Sequence, residues 1–282
     1  MLGKKNISII DDDDKIISDF GAEWKKFNQF NLNYNELKKL FEKYFVNFPW
    51  NLIDSNSVGF DAGSGSGRWA YFVAPKIKQL YCIEPSNAIL ESKLLLKKYK
   101  NIIYQNSTIQ KMTIQDNSMD FGYSLGVLHH TKYPEINLEI CVRKLKKNSP
   151  FLLYLYYSTS ESPILYNYLW KVSNLLRYLI SRLPFKIKNI VCDLLAIILY
   201  LPLAKIAKLF EFFNISIKYF PLSYYSDKPF YVMRNDSLDR FGTKVEKRYT
   251  KKEMIRLMEN AGLTNIKFNS DKPFWTVIGY KK

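Results

Sequence analysis

Cysteine, histidine and acidic residues are scarce in this chain, and each shortage closes off a class of function. Its 282 residues include three cysteines and two histidines. Cys82, Cys141 and Cys192 are widely spaced, which suits reduced thiols and not a disulfide framework. Two histidines without a cysteine cluster do not make a metal site, so no metal is expected. None of the apolar stretches reaches the roughly 20 residues that a bilayer span requires. The start, MLGKKNISIIDDDDK, follows a short apolar run with four aspartates and is no secretory leader, so a cytoplasmic protein is expected. Asp and Glu total 26 against 42 Lys and Arg, a formal net charge of +16. An anionic partner (nucleic acid, a phosphorylated acceptor or a membrane surface) is one reading of that excess. The other is a lysine- and asparagine-rich bias spread over the surface. The lysines are dispersed, and no arginine-rich run or RNA-binding motif occurs, which favours the second reading and disfavours nucleic acid.

Glycine is also sparse, at 11 residues, yet three fall within FDAGSGSGRWA at 60–70. Val58-Gly59-Phe60 is short and β-prone. Arg68 to Val73 runs without a breaker until Pro75. The stretch reads as strand, tight turn and helix start. Glycine there permits positive φ and lets a ligand approach the backbone, and a helix start favours electron-rich ligand groups. A dinucleotide fingerprint G-x-G-x-x-G needs a small residue where Arg68 stands. A phosphate-binding P-loop needs Gly-Lys-Ser/Thr, which is absent. A plain glycine-rich surface turn is the remaining alternative.

Further strands are expected at Leu80–Ile83, Ile102–Tyr104, Met119–Ser124 and Phe151–Tyr157, with a helix over roughly Ser86 to Lys98 capped by Ser86. Asp116-Asn117-Ser118 reads as a turn. Alternation at this spacing implies an α/β fold with a mostly parallel sheet and helices on both faces. Glu84 ends the second strand about 20 positions after the first glycine, where a carboxylate can take ribose hydroxyls. The plainer alternative is a solvent-facing strand-end carboxylate.

DAGSGSG, IEPS, DNSMD and SLGVLHH, in that order and spacing, resemble the class I S-adenosylmethionine-dependent methyltransferases. The small-molecule branch that includes ubiquinone and menaquinone C-methyltransferases is the nearest in pattern. The resemblance covers about residues 55–160 and resumes at 246–282, where RYTKKEMIRLMENAGLTNIKF looks like the late helix and sixth strand. PFWTVIGYK would be a reversed seventh strand. The resemblance implies a Rossmann-like sheet of seven strands and S-adenosylmethionine as cofactor, with S-adenosylhomocysteine as its product. It places Asp61, Gly63, Ser64, Gly65, Gly67 and Arg68 around the methionine part. It gives Glu84, with Pro85 and Ser86, the ribose, and sets Leu125, Gly126 and Val127 beneath the sulfonium. The family often carries a carboxylate near the adenine. Here Ser107-Thr108-Ile109 stands there, leaving the Thr108 hydroxyl and the Ile109 N–H for that task.

His129 and His130 follow the fourth strand, at the edge where open α/β sheets bind ligands. Either is a candidate general base or acceptor contact, His130 ahead of His129. The alternative is a helix cap or loop support. The Asn/Asp-Pro-Pro-Tyr box of amino-methylating enzymes is missing, which argues against nucleic-acid base or glutamine methylation.

Four segments are expected. Residues 1–54 form a helical lid, with Leu37, Leu40, Phe41, Tyr44 and Phe45 on one face and Trp24 and Phe27 as substrate contacts or core. Residues 55–160 form the cofactor core. Residues 161–245 form a helical insertion, and 246–282 complete the sheet. In the insertion, Leu165, Tyr168, Leu169, Val172, Leu175, Leu176 and Leu179 make a helical apolar stripe. A second helix, Ile187 to Leu201, is interrupted by Asp193 and ended by Pro202. A third runs from Leu203 to Phe213. They read as a cap that shapes the acceptor pocket or as a surface that grips lipid or a lipid-linked acceptor. Tyr224, Tyr225, Tyr231 and Arg234 are candidate pocket residues. The expected activity is methyl transfer to a small or medium acceptor. An RNA methyltransferase and a catalytically silent interaction protein are the rivals.

Overall fold

A computed structural model describes residues 34–158, 164–217, 220–269 and 275–282, with side chains from 167 in the second stretch. Trp24, Phe27 and the Leu165 side chain lie outside the described residues. Chain contacts divide the protein into two compact units, Ser158–Glu246 and the residues on either side of it.

The flanking unit holds a seven-stranded sheet. In chain order its strands are β1 (Val58–Ala62), β2 (Gln79–Ile83), β3 (Ile102–Gln105), β4 (Phe121–Leu125), β5 (Pro150–Tyr154), β6 (Leu263–Phe268) and β7 (Thr276–Lys281). Their spatial order is β3-β2-β1-β4-β5-β7-β6. All neighbours pair in parallel except β7, which is antiparallel to both β5 and β6. The reversed seventh strand is therefore present. The fourth and fifth strands end at different residues from those expected. Met119 and Tyr157 are only isolated bridge partners, to Leu145 and Tyr249.

Both faces of the sheet are buried, so β4 and β5 are covered along their whole length. The period-2 pleat sends alternate residues to two separate cores. Phe60, Phe151 and Leu153 enter one, with Leu138, Met254, Leu257 and Val277. Phe121, Tyr123 and Leu152 enter the other, with Trp69, Phe72 and Ile278. Helix α1 (Tyr34–Tyr44) closes that second core with Phe41, Tyr44 and the following Phe45, and Leu37 and Leu40 pack at its margin. The expected apolar face is the one it uses.

Three further helices of this unit are α2 (Ala70–Val73), α3 (Ala88–Leu95) and α4 (Pro134–Lys144). Helix α3 starts later than expected. Asn87, not Ser86, occupies the cap position and makes no side-chain cap bond. The Ser86 hydroxyl instead accepts from the Ala88 N–H at 3.2 Å.

The Ser158–Glu246 unit contains α5 (Ile164–Ile180), α6 (Phe185–Leu195), α7 (Leu201–Phe212) and α8 (Phe230–Gly242). Here the sequence expectation needs correction. Helices α6 and α7 are one continuous run, Phe185–Phe212, of 28 residues, long and apolar enough to cross a membrane by length and composition. Pro202 does not end it. A wide π turn over Ala196–Tyr200 precedes the proline, and a widened turn lets the ring clear the carbonyl behind it. Asp193 does not break it either, because its carboxylate takes both prongs of the Arg234 fork, at 3.0 and 2.7 Å.

Helix α9 (Lys251–Asn260) precedes β6 and begins with a full capping box. Thr250 Oγ1 accepts from the Glu253 N–H at 3.2 Å, and Glu253 Oε2 accepts from the Thr250 N–H at 2.7 Å. Replacing Thr250 with alanine is expected to cost about 1 kcal/mol in urea unfolding. A change near zero would mean that α9 is held by Met254 and Leu257 alone.

Candidate functional site

β1 pairs with β2 on one side and β4 on the other. The strand order reverses there, which opens a crevice at the carboxyl ends of β1 and β4. The glycine loop leaves β1 at this point, and Leu125 to His130 leaves β4 beside it.

The loop is held tightly. The Gly63 and Ser64 N–H groups both donate to the Ile83 carbonyl, at 2.8 and 3.0 Å, and the Gly67 N–H donates to the Ser64 carbonyl at 2.9 Å. Gly63 has φ +83°, and a Cβ there would stand 2.5 Å from both Val127 methyls. The loops after β1 and β4 thus touch because Gly63 has no side chain. Gly63→Ala is expected to lower stability by about 2–4 kcal/mol in urea, from left-handed strain plus overpacking. A tolerated alanine would show that Val127 can withdraw. Helix α2 after the loop is only four residues long, so the loop acts through its shape and backbone groups more than through a helix dipole.

Glu84 locks the second strand to this loop. Its Oε2 accepts from the Gly65 N–H and its Oε1 from the Ser86 N–H, both at 2.9 Å. Burial raises its pKa against the pull of those bonds. Glu84 is not the solvent-facing carboxylate of the plainer reading: it is 7% exposed. Pro85, half-buried, is held at its carbonyl by the Asn106 amide, which also bonds the Glu84 carbonyl. Asn106 is a contributor that carries no sequence signal.

Asp61, at 1% exposure, is more deeply buried than Glu84. Its pKa is pushed up to about 8 by burial, with the Glu84 charge adding and the Tyr123 phenol and Arg68 guanidinium opposing. Arg68 lies 4.3 Å over the Trp69 ring. Asp61 Oδ2 has no hydrogen-bond partner, nor do the buried Ser64, Ser66, Ser107 and Thr108 hydroxyl oxygens. Buried polar groups are otherwise satisfied in folded proteins. Five such atoms on the β1 and β3 exits therefore fit a polar ligand. Ser107 and Thr108 are the residues in place of the family's adenine carboxylate.

On the β4 side, Ser124 Oγ donates to the Ala62 carbonyl at 2.8 Å, and the Gly126 N–H donates to the Tyr154 carbonyl at 3.1 Å. His129 and His130 sit in a single turn, Leu128–His130, and both are buried. Their rings lie 4.0 Å apart, and the His129 ring lies 4.0 Å from Tyr156. Arg248 stands 5.1 Å over that tyrosine. Both His129 ring nitrogens lack partners. Burial first, then the neighbouring His130 and Arg248, hold its pKa well below the ordinary value, so it is neutral. Tyr156 and Arg248 carry no motif, and no pattern in the sequence points to them.

Tyr225 and Arg234 belong to the Ser158–Glu246 unit and have partners inside it. The Tyr225 hydroxyl donates to Asp236 at 2.9 Å, and Arg234 pairs with Asp193. Tyr231 lies near Arg234 on α8, and Tyr224 stacks edgewise on Tyr225.

Residues 60–153 match the family model described as a methyltransferase domain. No curated protein matches the sequence. Among solved structures, the chain is similar to a chain in the complex of the Haloferax volcanii Trm112 methyltransferase activator with a methyltransferase. That likeness has 12% identity and a TM-score of 0.51, over 93% of this chain and 96% of the other. A Bordetella parapertussis protein described as a possible exported protein is similar at 12% identity and a TM-score of 0.50, over 87% and 67%. At such identities the likeness is one of fold. The match over residues 60–153 and the seven-stranded, mostly parallel sheet agree with a Rossmann-like methyltransferase fold.

Proposed function

We propose that this methyltransferase domain transfers a methyl group to a small or medium-sized acceptor: a sugar, a quinone-like ring or a lipid-linked intermediate. The observation that carries the cofactor part of this reading is the set of orphaned buried polar atoms on Asp61, Ser64, Ser66, Ser107 and Thr108 at the strand-order reversal. When bound, S-adenosylmethionine supplies an electrophilic methyl on a sulfonium. The residues present fit it. Asp61 and the Gly63–Gly67 loop hold the methionine part, Glu84 accepts from the ribose, and Thr108 serves the adenine. Leu125, Gly126 and Val127 form the floor. Methyl transfer is an in-line displacement, so the protein gains most from alignment and exclusion of water. The buried His129–His130 pair stands next to that floor. His130 is assigned to accept the acceptor's proton where the acceptor is a hydroxyl or a protonated amine, and His129 to shape the pocket.

Calorimetric titration with S-adenosylmethionine and S-adenosylhomocysteine, beside NADH and NADP, tests the reading. Binding of the first two alone supports it. Failure of both in folded protein would favour a silent interaction protein. Salt-dependent binding of RNA would move the acceptor from a small molecule to RNA.

A further inference from the structure

The Ser158–Glu246 unit buries a small apolar set, including Ile180, Met233, Leu238 and Phe241, and holds its helices together with polar groups beside it. Helix α5 meets α8 through polar groups. Arg240 donates to Ser173 Oγ at 2.7 Å and to Asn174 Oδ1 at 3.0 Å, pairs with Glu246 at 2.9 Å, and lies 3.6 Å over Trp170. Arg177 donates to the Thr243 and Lys244 carbonyls. Helix α6 likewise meets α8 through the Arg234–Asp193 pair and a 2.8 Å bond from Ser237 to the Cys192 carbonyl. Many of the large apolar residues of α5 and of the Phe185–Phe212 run are exposed instead. Leu175 is 63% exposed, Ile190 61% and Ile198 71%. Tyr168, Leu169, Val172, Leu176 and Leu179, which belong to the same expected helical stripe, are exposed with them. A soluble domain rarely leaves so large an apolar area in water.

We propose that this face docks in the plane of an anionic phospholipid bilayer. Cations lie among the exposed apolar side chains: Lys171 on α5, Arg182 and Lys186 before Ile187, and Lys205 and Lys208 beside Ile206 and Leu209. Across residues 164–213 the acids are Asp193, which faces Arg234, and Glu211, and Asp227 from beyond that run lies 3.4 Å from Lys208. Lysines interleaved with isoleucine and leucine suit the headgroup depth, where the ammonium reaches out while the stem stays in lipid. That interleaving, and the buried face of Phe185–Phe212 made by Lys188, Cys192, Ala196, Tyr200, Ala204 and Ala207, favour lying on the bilayer over crossing it. A crossing would carry Asp193 into hydrocarbon or part it from Arg234.

The test is flotation of the full chain with vesicles of phosphatidylcholine alone and of phosphatidylcholine with equimolar phosphatidylglycerol. Binding is expected to the second, weakening with salt and released by alkaline carbonate. Lys186→Gln and Lys205→Gln should each lower partitioning about fivefold. Leu175→Glu/Ile190→Glu/Ile198→Glu should abolish it, with an unchanged circular dichroism melt and unchanged titration by S-adenosylmethionine, since the docking face does not rest on the cofactor site. Three results overturn the proposal: no flotation of folded protein with either vesicle, retention in the carbonate pellet, and lipid-free dimers that the triple variant dissociates.

Discussion

Asp61→Asn is expected to weaken binding of S-adenosylmethionine about 10³-fold, the scale of losing one partner from a buried charge pair. It is also expected to make the ligand-free protein more stable in alkaline buffer. Both effects have one cause. Asp61 is buried, Oδ2 lacks a partner, and the pKa stands near 8 against an ordinary 3.8. A raised carboxyl pKa means that the folded chain holds a proton which the unfolded chain has given up. The stability it contributes is therefore complete below pH 3.8 and lost as pH rises to about 8. Asparagine carries no such penalty, so the variant's melting temperature should exceed the wild type's at pH 8 and above and approach it near pH 4. In the wild type, a ligand ammonium would meet a carboxylate that must first ionise. Binding at pH 7 should thus release close to one proton, read as the dependence of calorimetric heat on buffer ionisation enthalpy. The Asp61→Asn protein should release none. Equal affinity in the two proteins, or binding without proton release in the wild type, would remove Asp61 from the cofactor site.

The same residue shows what the sequence can disclose. The glycine spacing locates the loop, because positive φ and close approach leave few choices of residue: Gly63 has φ +83° and Val127 against it. Alternating strands and helices point to the sheet, since a strand buried on both faces has a strong local pattern. Glu84 is legible by its distance from the glycines. Its bonds to Gly65 and Ser86 are not, because a backbone N–H has no sequence signature. Arg248 and Tyr156 reach His129 from segments remote in sequence, and only the fold brings them together. The insertion's choice between its two readings is not legible for a related reason. Helical spacing identifies an apolar stripe but not its direction, and the polar network around Arg240 decides that α5 turns its leucines outward. Pro202 reads as a stop because the widening over Ala196–Tyr200 leaves no mark in composition.

His130→Ala is expected to leave the affinity for S-adenosylmethionine within about twofold while turnover falls about 10²-fold or more, the usual range for removing a general base. The measurement needs the acceptor that a screen yields, and two further arms make it specific. His129 is held neutral by burial, so it gains no charge near neutrality and is not assigned as the base. Turnover should therefore survive His129→Gln and fall in His130→Ala. His129 has a different signature in stability. Its depressed pKa means that the unfolded chain binds a proton that the folded chain refuses. The stability this provides is complete above the ordinary value of 6.5 and declines as pH falls below it. His129→Gln should flatten that acid decline in a melting series from about pH 7 to pH 5. Two assignments are then open to refutation by separate experiments. Full turnover in His130→Ala would remove the base and leave alignment as the chain's whole contribution, as expected for an acceptor that needs no deprotonation. An acid decline unchanged in His129→Gln would mean that its ring is solvated in the working enzyme, and the pocket beside Tyr156 is open to water.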